Sequence, residues 1–321
     1  MLSVQIIVNP KAGKGRALKA LEPAKGVLHE LGWEYEIITT KAPGHATKIA
    51  KEAAARKTSL VAAIGGDGTI NEVIQGIVGT ETCLAIIPGG TGNDHARSLD
   101  IPLNPAKATA LLAEGKIISM DIGKERDRNF GCLTAIGFPV DVIDHTNRKQ
   151  GFLGGPLAIL SSVWQTLRNL RFYEAKVTLD GQSLSVITCG IFVLNTPSVG
   201  GGLRFSPQAD ITDGLLDVVI VGQLGRGELL YNLPKVYQGK HTDHHAFQLH
   251  RCRQVRIETP LPLPKMFDGE ILGFTPVEAT IRPKALQVVV PPGFAVDGHT
   301  ITSYLSGENK AATLALTQPG L

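Results

Sequence analysis

Leu60-Val61-Ala62-Ala63-Ile64-Gly65-Gly66-Asp67-Gly68-Thr69-Ile70-Asn71-Glu72 is the stretch that decides how the chain is read. Its first five residues are all apolar, which suits a strand buried on both faces of a parallel sheet. Beyond Thr69, the residues Ile70, Val73, Ile74 and Ile77 recur at i, i+3, i+4 and i+7 and make one face of an amphipathic helix. The glycines therefore occupy a strand-to-helix turn, where free N–H groups and the positive helix end can receive an anion. A carboxylate in that place repels phosphate unless a metal or a hydroxyl hydrogen bond intervenes. Asp67 thus points to a Mg²⁺-nucleotide or ribose contact; the plainer alternative is a tight turn in which Asp67 caps the helix.

A second stretch of the same grammar follows. Cys83-Leu84-Ala85-Ile86-Ile87 is another buried-strand run, and it ends in Pro88-Gly89-Gly90-Thr91-Gly92-Asn93-Asp94. Two glycine-rich turns after two strands of one parallel sheet lie at the same carboxyl edge, where open α/β sheets bind ligands.

The rest of the first third supports that sheet. Residues 4–8 read as a strand, leading into Asn9-Pro10-Lys11-Ala12-Gly13-Lys14-Gly15-Arg16, which lacks the Gly-Lys-Ser/Thr ending of a Walker loop. Its Lys11, Lys14 and Arg16 are expected in a solvated turn. A helix over 17–31 starts late or kinks at Pro23; a strand over 35–40, a helix over 45–56 and a helix over 105–114 complete a doubly wound α/β pattern.

After Gly115 the pattern changes. Strands are predicted over 116–123 and 130–138, and Leu157, Leu160, Trp164 and Leu167 mark a helix stripe. Alternation up to Asp180-Gly181 and beyond is a two-residue hairpin signal. Further strands over 215–221, 252–258, 277–281 and 286–290 indicate an antiparallel sandwich. The expected organisation is an α/β nucleotide-binding domain over 1–125, a β-rich substrate domain over 126–300, and a C-terminal tail over 301–321 that packs back on the first domain.

Composition excludes several classes. With 321 residues, 43% hydrophobic, 19% charged and a net charge of +3, the chain is globular and carries no basic run for nucleic acid. Cys83, Cys132, Cys189 and Cys252 lie far apart without metal or redox spacing, and are expected to be buried reduced thiols. No apolar run approaches the roughly 18 residues that a membrane span needs, and residues 4–8 open the chain without a cleavable leader pattern. A cytoplasmic protein with only peripheral membrane contact is expected.

Two acidic turns and a histidine cluster remain. Asp210, Asp213 and Asp217 surround Gly214 and offer hard oxygens to Mg²⁺ or Ca²⁺; the alternative is a polar hairpin. Phe267-Asp268-Gly269-Glu270 places two carboxylates at one loop tip, where either can accept a hydroxyl proton during phosphoryl transfer, or Asp268-Gly269 is simply a type I′ turn. His241, His244, His245 and His250 lack the partners of a zinc motif and are expected in an exposed polar loop.

In this order and spacing, Asn9-Pro10 with Gly13, Gly65 to Glu72, Pro88 to Asp94, Gly202 to Asp217 and Asp268-Gly269-Glu270 resemble the diacylglycerol kinase catalytic-domain family, in its bacterial lipid kinase branch. The resemblance covers nearly the whole chain. It implies an N-terminal Rossmann-like ATP-binding domain and a C-terminal antiparallel β-sandwich, with the nucleotide between them. It implies that Asn9, Thr40, Gly65, Gly66, Asp67, Gly68, Thr69, Ile70, Asn71 and Thr91 line the nucleotide site. Asp213, with main-chain carbonyls near Asp210 and Leu215, would hold a structural Mg²⁺. Glu270 takes the position of the proton acceptor, with Asp268 as rival. The implied reaction is transfer of the γ-phosphate of ATP to a lipid hydroxyl, on diacylglycerol or a sphingoid or other glycerolipid, at the inner membrane face. Pro139 departs from the family's more acidic turn and puts a role for Asp141 in doubt. NAD kinase, which shares Gly-Gly-Asp-Gly-Thr, is the alternative enzyme; a nucleotide-binding regulatory module without catalysis is the alternative class.

Overall fold

The computed structural model describes residues 3–148 and 156–295. The first domain alternates strands and helices: β1 (Ser3–Val8), α1 (Arg16–Glu30), β2 (Glu34–Thr39), α2 (His45–Ala55), β3 (Leu60–Gly65), α3 (Asp67–Ile77), β4 (Cys83–Pro88), α4 (Asp94–Ser98), α5 (Pro105–Glu114) and β5 (Lys116–Glu125). The strands β2-β1-β3-β4 pair in parallel. Every residue of β3 and β4 is buried, as their unbroken apolar runs require. Pro23 lies inside α1 and does not delay its start.

The second part runs β6 (Arg128–Phe130), β7 (Leu133–Gly137), α6 (Phe138–Arg148), α7 (Pro156–Arg168), β8 (Tyr173–Leu179), β9 (Gln182–Thr188), β10 (Gly190–Leu194) and β11 (Leu216–Val221). It continues with α8 (Arg226–Gln238), β12 (Phe247–Cys252), β13 (Gln254–Glu258), β14 (Pro264–Phe267), β15 (Glu270–Phe274) and β16 (Val277–Val290). Strands β12-β11-β10-β7-β14-β15 form an antiparallel sheet. It packs face to face on β8, β13 and β16, with Ile136, Ile191, Val218, Val177, Ile257 and Val277 between the layers. An α/β parallel-sheet domain and an antiparallel sandwich are thus both present.

Three details differ from the sequence expectations. The predicted strand over 130–138 is broken: Gly137 takes φ +77° and α6 starts at Phe138. Pro139 then falls in the first helical turn, where its missing N–H leaves no bond unmade. The sandwich also carries a helical layer on its outer face, where Val140, Val142, Val163, Leu229 and Val236 cover Leu133, Phe192 and Val219. That layer explains why β10 and β11 are buried at every residue, and Trp164 of the predicted stripe points outward, 58% exposed.

The strands expected over 277–281 and 286–290 are one strand, β16, with an irregularity between Arg282 and Leu286. Its first half pairs with β13 and its last residues pair in parallel with Cys83 and Leu84 of β4. The chain therefore returns to the first domain through β16. The tail over 301–321 lies outside the described residues, as do the side chains of Leu157 and Leu160.

Candidate active site

Three loops meet at the carboxyl edge of β1, β3 and β4. Asn9 N–H donates to Ile64 O (3.1 Å) and Gly89 N–H to Gly65 O (2.8 Å), which carries the strand ladders into the turns. A Cβ on Gly90 would stand 2.4 Å from Gly66 Cα, and one on Gly13 would stand 2.2 Å from Gly89 O. The loops touch main chain to main chain, so side chains at these positions would force them apart. Asn9 Nδ2 donates to Thr69 Oγ1 (3.0 Å), and an Arg16 guanidinium nitrogen to Thr91 Oγ1 (2.6 Å). The basic loop is no isolated solvated turn: Lys11 and Lys14 line a cavity together with Thr91 and Asp67.

The other expected nucleotide residues divide by where they point. Gly66 is the N-cap of α3, and Gly68 lies in its open first turn. Thr40 follows β2, with its N–H on Val8 O (2.9 Å). Ile70 is 2% exposed and belongs to the first core, so its side chain packs away from the loops. Asn71 is also buried, and its amide reaches Asp268 and Asn129 O across the domain boundary.

Asp67 does not cap its own helix. Its Oδ1 accepts the main-chain N–H of His95 (3.1 Å) and lies 3.2 Å from His95 Nδ1. Burial works to raise the Asp67 pKa, but the His95 hydrogen bonds and charge outweigh it and leave Asp67 below its ordinary value. Asp94 is pushed up to about 7, first by burial and then by the Asp67 charge, against N–H donors from Gly200 (2.8 Å) and Gly201 (2.6 Å). For His95, burial opposes the charged form, yet Cys132, Asp67 and Asp268 together raise it well above its ordinary value. The Cys132 thiol is itself pushed up to about 12 by burial and is neutral near pH 7, so the two carboxylates supply that stabilisation.

The Asp268–Glu270 loop is a type I′ hairpin, with Asp268 at φ +43° and Gly269 at φ +86° between β14 and β15. Its two carboxylates have different situations. Asp268 Oδ1 accepts N–H groups of Cys132 (2.8 Å) and Leu133 (2.9 Å), while Oδ2 accepts Gly131 N–H (2.8 Å) and the Asn71 amide. Asp268 is thus saturated, and it ties the break between β6 and β7 to α3. Glu270 is 50% exposed, paired to Arg128 at 2.7 Å, with Oε1 3.6 Å from where a Cβ on Gly68 would stand. It overhangs the N-terminus of α3 with lone pairs to spare.

The cavity beneath these groups has a volume of about 470 Å³. Lys11, Lys14, Thr91 and Gly92 form one end, and Asp67, Asp94, His95 and Asp268 a polar neck. Beyond the neck the walls are apolar: Phe138, Val142, Val163, Phe192, Leu203, Leu233 and Met266, from the outer sheet face and its helical cover.

Residues 3–125 match the family described as "Diacylglycerol kinase catalytic domain", and residues 134–290 match "YegS C-terminal NAD kinase beta sandwich-like domain". The chain is 33% identical over 296 residues to a diacylglycerol kinase of Mycobacterium tuberculosis, covering 90% of this chain and 95% of that one. It is 29% identical over 294 residues to a diacylglycerol kinase of Bacillus subtilis, covering 91% and 97%. A solved structure of a putative diacylglycerol kinase from Bacillus anthracis superposes with a TM-score of 0.78 at 27% identity, covering 92% and 97%.

The chain belongs to the diacylglycerol kinase family. It is therefore a lipid kinase, and the meeting of glycine loops with an apolar cavity is what such an enzyme requires.

The second acidic loop of the kinase is closed by its own hydrogen bonds. Asp210 Oδ1 accepts the N–H (2.8 Å) and hydroxyl (2.7 Å) of Thr212, and Asp213 Oδ1 accepts Leu215 N–H (2.9 Å). Asp213 Oδ2 is paired with Arg251. Asp121, fully buried, accepts N–H groups from Gly214 and Lys284 at 2.6 Å each. The oxygens suit a hard cation in kind, but one carboxylate faces a guanidinium that an ion must displace.

Sequence reasoning missed His95, Arg128 and the domain-bridging role of Asp94. Asp94 closes a motif already singled out, whereas His95 and Arg128 carry no local signal. The histidine cluster is also corrected. His241 is 0% exposed and its Nε2 lies 3.1 Å from Phe205 O, while His244 pairs with Glu228 at 3.0 Å. Among the described residues no helix is long and apolar enough to cross a membrane.

Proposed function

We propose that this kinase transfers the γ-phosphoryl group of ATP to a hydroxyl of a membrane lipid, with diacylglycerol or a related glycerolipid or sphingoid base as acceptor. The observation that carries the reading is the continuity of one cavity from the basic glycine loops, through a carboxylate neck, into an apolar chamber. A phosphate tail is received at the first end by main-chain N–H groups, Lys11 and Lys14. An acyl or alkyl chain is received at the other, which leaves a headgroup hydroxyl at the neck. NAD, polar throughout, has no use for the chamber.

Glu270 accepts the hydroxyl proton in this reading. It is the member of the Asp268/Glu270 pair with uncommitted lone pairs, and it reaches the start of α3 where the phosphates lie. Asp268 holds the loop and the domain boundary in register. Mg²⁺ bound with the nucleotide supplies charge neutralisation on the phosphates; Asp67 Oδ2 and Asp94 Oδ2, both beside Gly92, offer the hard oxygens for it. At the Asp210–Leu215 loop, Asp213 freed from Arg251 and the main-chain carbonyls of Asp210 and Leu215 would hold a structural Mg²⁺. Because the acceptor is a lipid, the enzyme works peripherally at the cytoplasmic face of a membrane.

The test is phosphate transfer from labelled ATP to diacylglycerol, monoacylglycerol, ceramide, sphingosine and phosphatidylglycerol in mixed micelles, with NAD as control. A labelled lipid product is expected. Transfer to NAD alone, or tight ATP binding with no acceptor phosphorylated, overturns the reading.

A further inference from the structure

Two cations lie against the ring of Phe267, the last residue of β14, and they are used differently. Lys265 is buried, paired with Glu125 and donating to Pro276 O (3.0 Å), so it belongs to the frame. Arg128 has its guanidinium carbon 6.0 Å from the ring centroid and donates from Nη2 to Glu270 Oε2 (2.7 Å). Its Nε is buried and has no hydrogen-bond partner. A buried donor left unpaired marks a side chain whose place is set by something other than its own full satisfaction. The pair with Glu270 is partly exposed on both sides, so it adds little to stability.

The strand that carries Arg128, β6, is in turn fastened to α3. Asn129 N–H and the Asn129 side-chain amide donate to Gln75 Oε1 (3.0 and 3.1 Å), and Gln75 Nε2 returns a bond to Asn129 O (2.7 Å). A closed path of contacts therefore runs from α3 through Gln75, Asn129 and Arg128 to Glu270, whose Oε1 comes back over Gly68 in the first turn of the same helix. The helix whose open end faces the nucleotide thus also sets where the carboxylate stands. We propose that Arg128 is a positioning residue for phosphoryl transfer, holding Glu270 Oε2 so that Oε1 stays aimed at the acceptor hydroxyl; this rests on the reading of Glu270 as proton acceptor.

In the step it supports, the hydroxyl O–H bond breaks as its oxygen bonds to the γ-phosphorus, and the bond from that phosphorus to the β–γ bridging oxygen breaks with its electron pair leaving on ADP. The proton goes to Glu270 Oε1. With Oε2 kept on Arg128, the carboxylate does not turn out to solvent, where half of its side chain already lies. A guanidinium suits this task because its planar fork keeps one orientation against an aromatic ring and a carboxylate together; an ammonium supplies the charge without the plane.

The experiment uses the full chain with labelled ATP and diacylglycerol in mixed micelles, on Arg128→Ala, Arg128→Lys, Glu270→Gln and the double variant Arg128→Ala/Glu270→Gln. Arg128→Ala is expected to lose ~10²-fold in kcat, the cost of a misplaced reacting group, with KM for ATP and for lipid unchanged. Arg128→Lys should recover only part of that rate. Free guanidinium ion should restore activity to Arg128→Ala, and ammonium should not, a readout that a merely structural arginine would not give. Because Arg128 acts through Glu270, its removal should cost nothing further once Glu270 is replaced, and guanidinium should not stimulate the double variant. Wild-type kcat in Arg128→Ala, a loss confined to KM, or the same fold-loss with and without Glu270 overturns the proposal and leaves Glu270 its role. A Glu270→Gln enzyme of wild-type rate overturns the proton-acceptor reading and this proposal with it.

Discussion

Exchanging the two acceptor-loop carboxylates for amides should separate a structural residue from a chemical one. In Asp268→Asn, one oxygen that accepts two donors becomes an NH₂ group that accepts none. Either Cys132 and Leu133 N–H, or Gly131 N–H and the Asn71 amide, lose their partner while remaining buried. A hydrogen bond to a charged group contributes ~1.5–3 kcal/mol, and an orphaned buried donor costs about as much. Two lost bonds therefore destabilise by roughly 3–6 kcal/mol, a large part of the ~5–15 kcal/mol that holds a typical domain. At roughly 2–4 °C per kcal/mol for chains of about this size, the melting temperature falls by ~6–24 °C. In Glu270→Gln the lost partner is Arg128, half-exposed and screened, worth about 0–1 kcal/mol. That variant should melt within roughly 4 °C of wild type while losing ~10²–10⁴ in lipid phosphorylation. Differential scanning fluorimetry and a labelled-ATP micelle assay on both variants decide the matter. A Glu270→Gln enzyme of wild-type rate beside a stable but inactive Asp268→Asn refutes the division of roles.

Asp67→Asn is expected to lower the turnover rate by ~10²–10³ and to alter its Mg²⁺ dependence; wild-type kinetics with unchanged Mg²⁺ dependence would exclude a metal or phosphate-side role. Asp94 has its pKa raised in the fold from 3.8 to about 7. Its protonated form is therefore the stabilised one, and the stability it contributes is complete in acid and lost as pH rises from about 4 through about 7. The span bounds that loss at ~4 kcal/mol, so Asp94→Asn should gain on wild type between pH 5 and pH 8 in metal-free melting curves; parallel curves contradict this. EDTA should lower the melting temperature of wild type, restorable by Mg²⁺, and leave Asp213→Ala unmoved; identical responses argue against a structural ion at that loop. Leu233→Trp, which fills the apolar chamber, should raise KM for long-chain lipid far more than for ATP, and equal effects on both would place the chain elsewhere.

The sequence by itself determined the strand-to-helix turns, because they are written in contiguous residues. Apolar runs at 60–64 and 83–87, each followed by glycines, compel two buried parallel strands with open turns at one edge. The Asp180-Gly181 pair likewise fixes a hairpin, since both residues must take positive φ and do. Tertiary structure alone decided what faces what. Ile70 and Asn71 sit beside Asp67 in the chain, yet helical periodicity sends one into the core and the other across to Asp268. Asp268 and Glu270 read as equals two residues apart; only the fold shows that the break at 131–133 saturates the first and leaves the second free. His95 acquires its importance from Asp67 and Asp268, 28 and 173 positions distant. No local pattern records such an encounter, because it depends on β16 and the hairpins bringing separate stretches to one point, and on burial that makes each charge there depend on its neighbours.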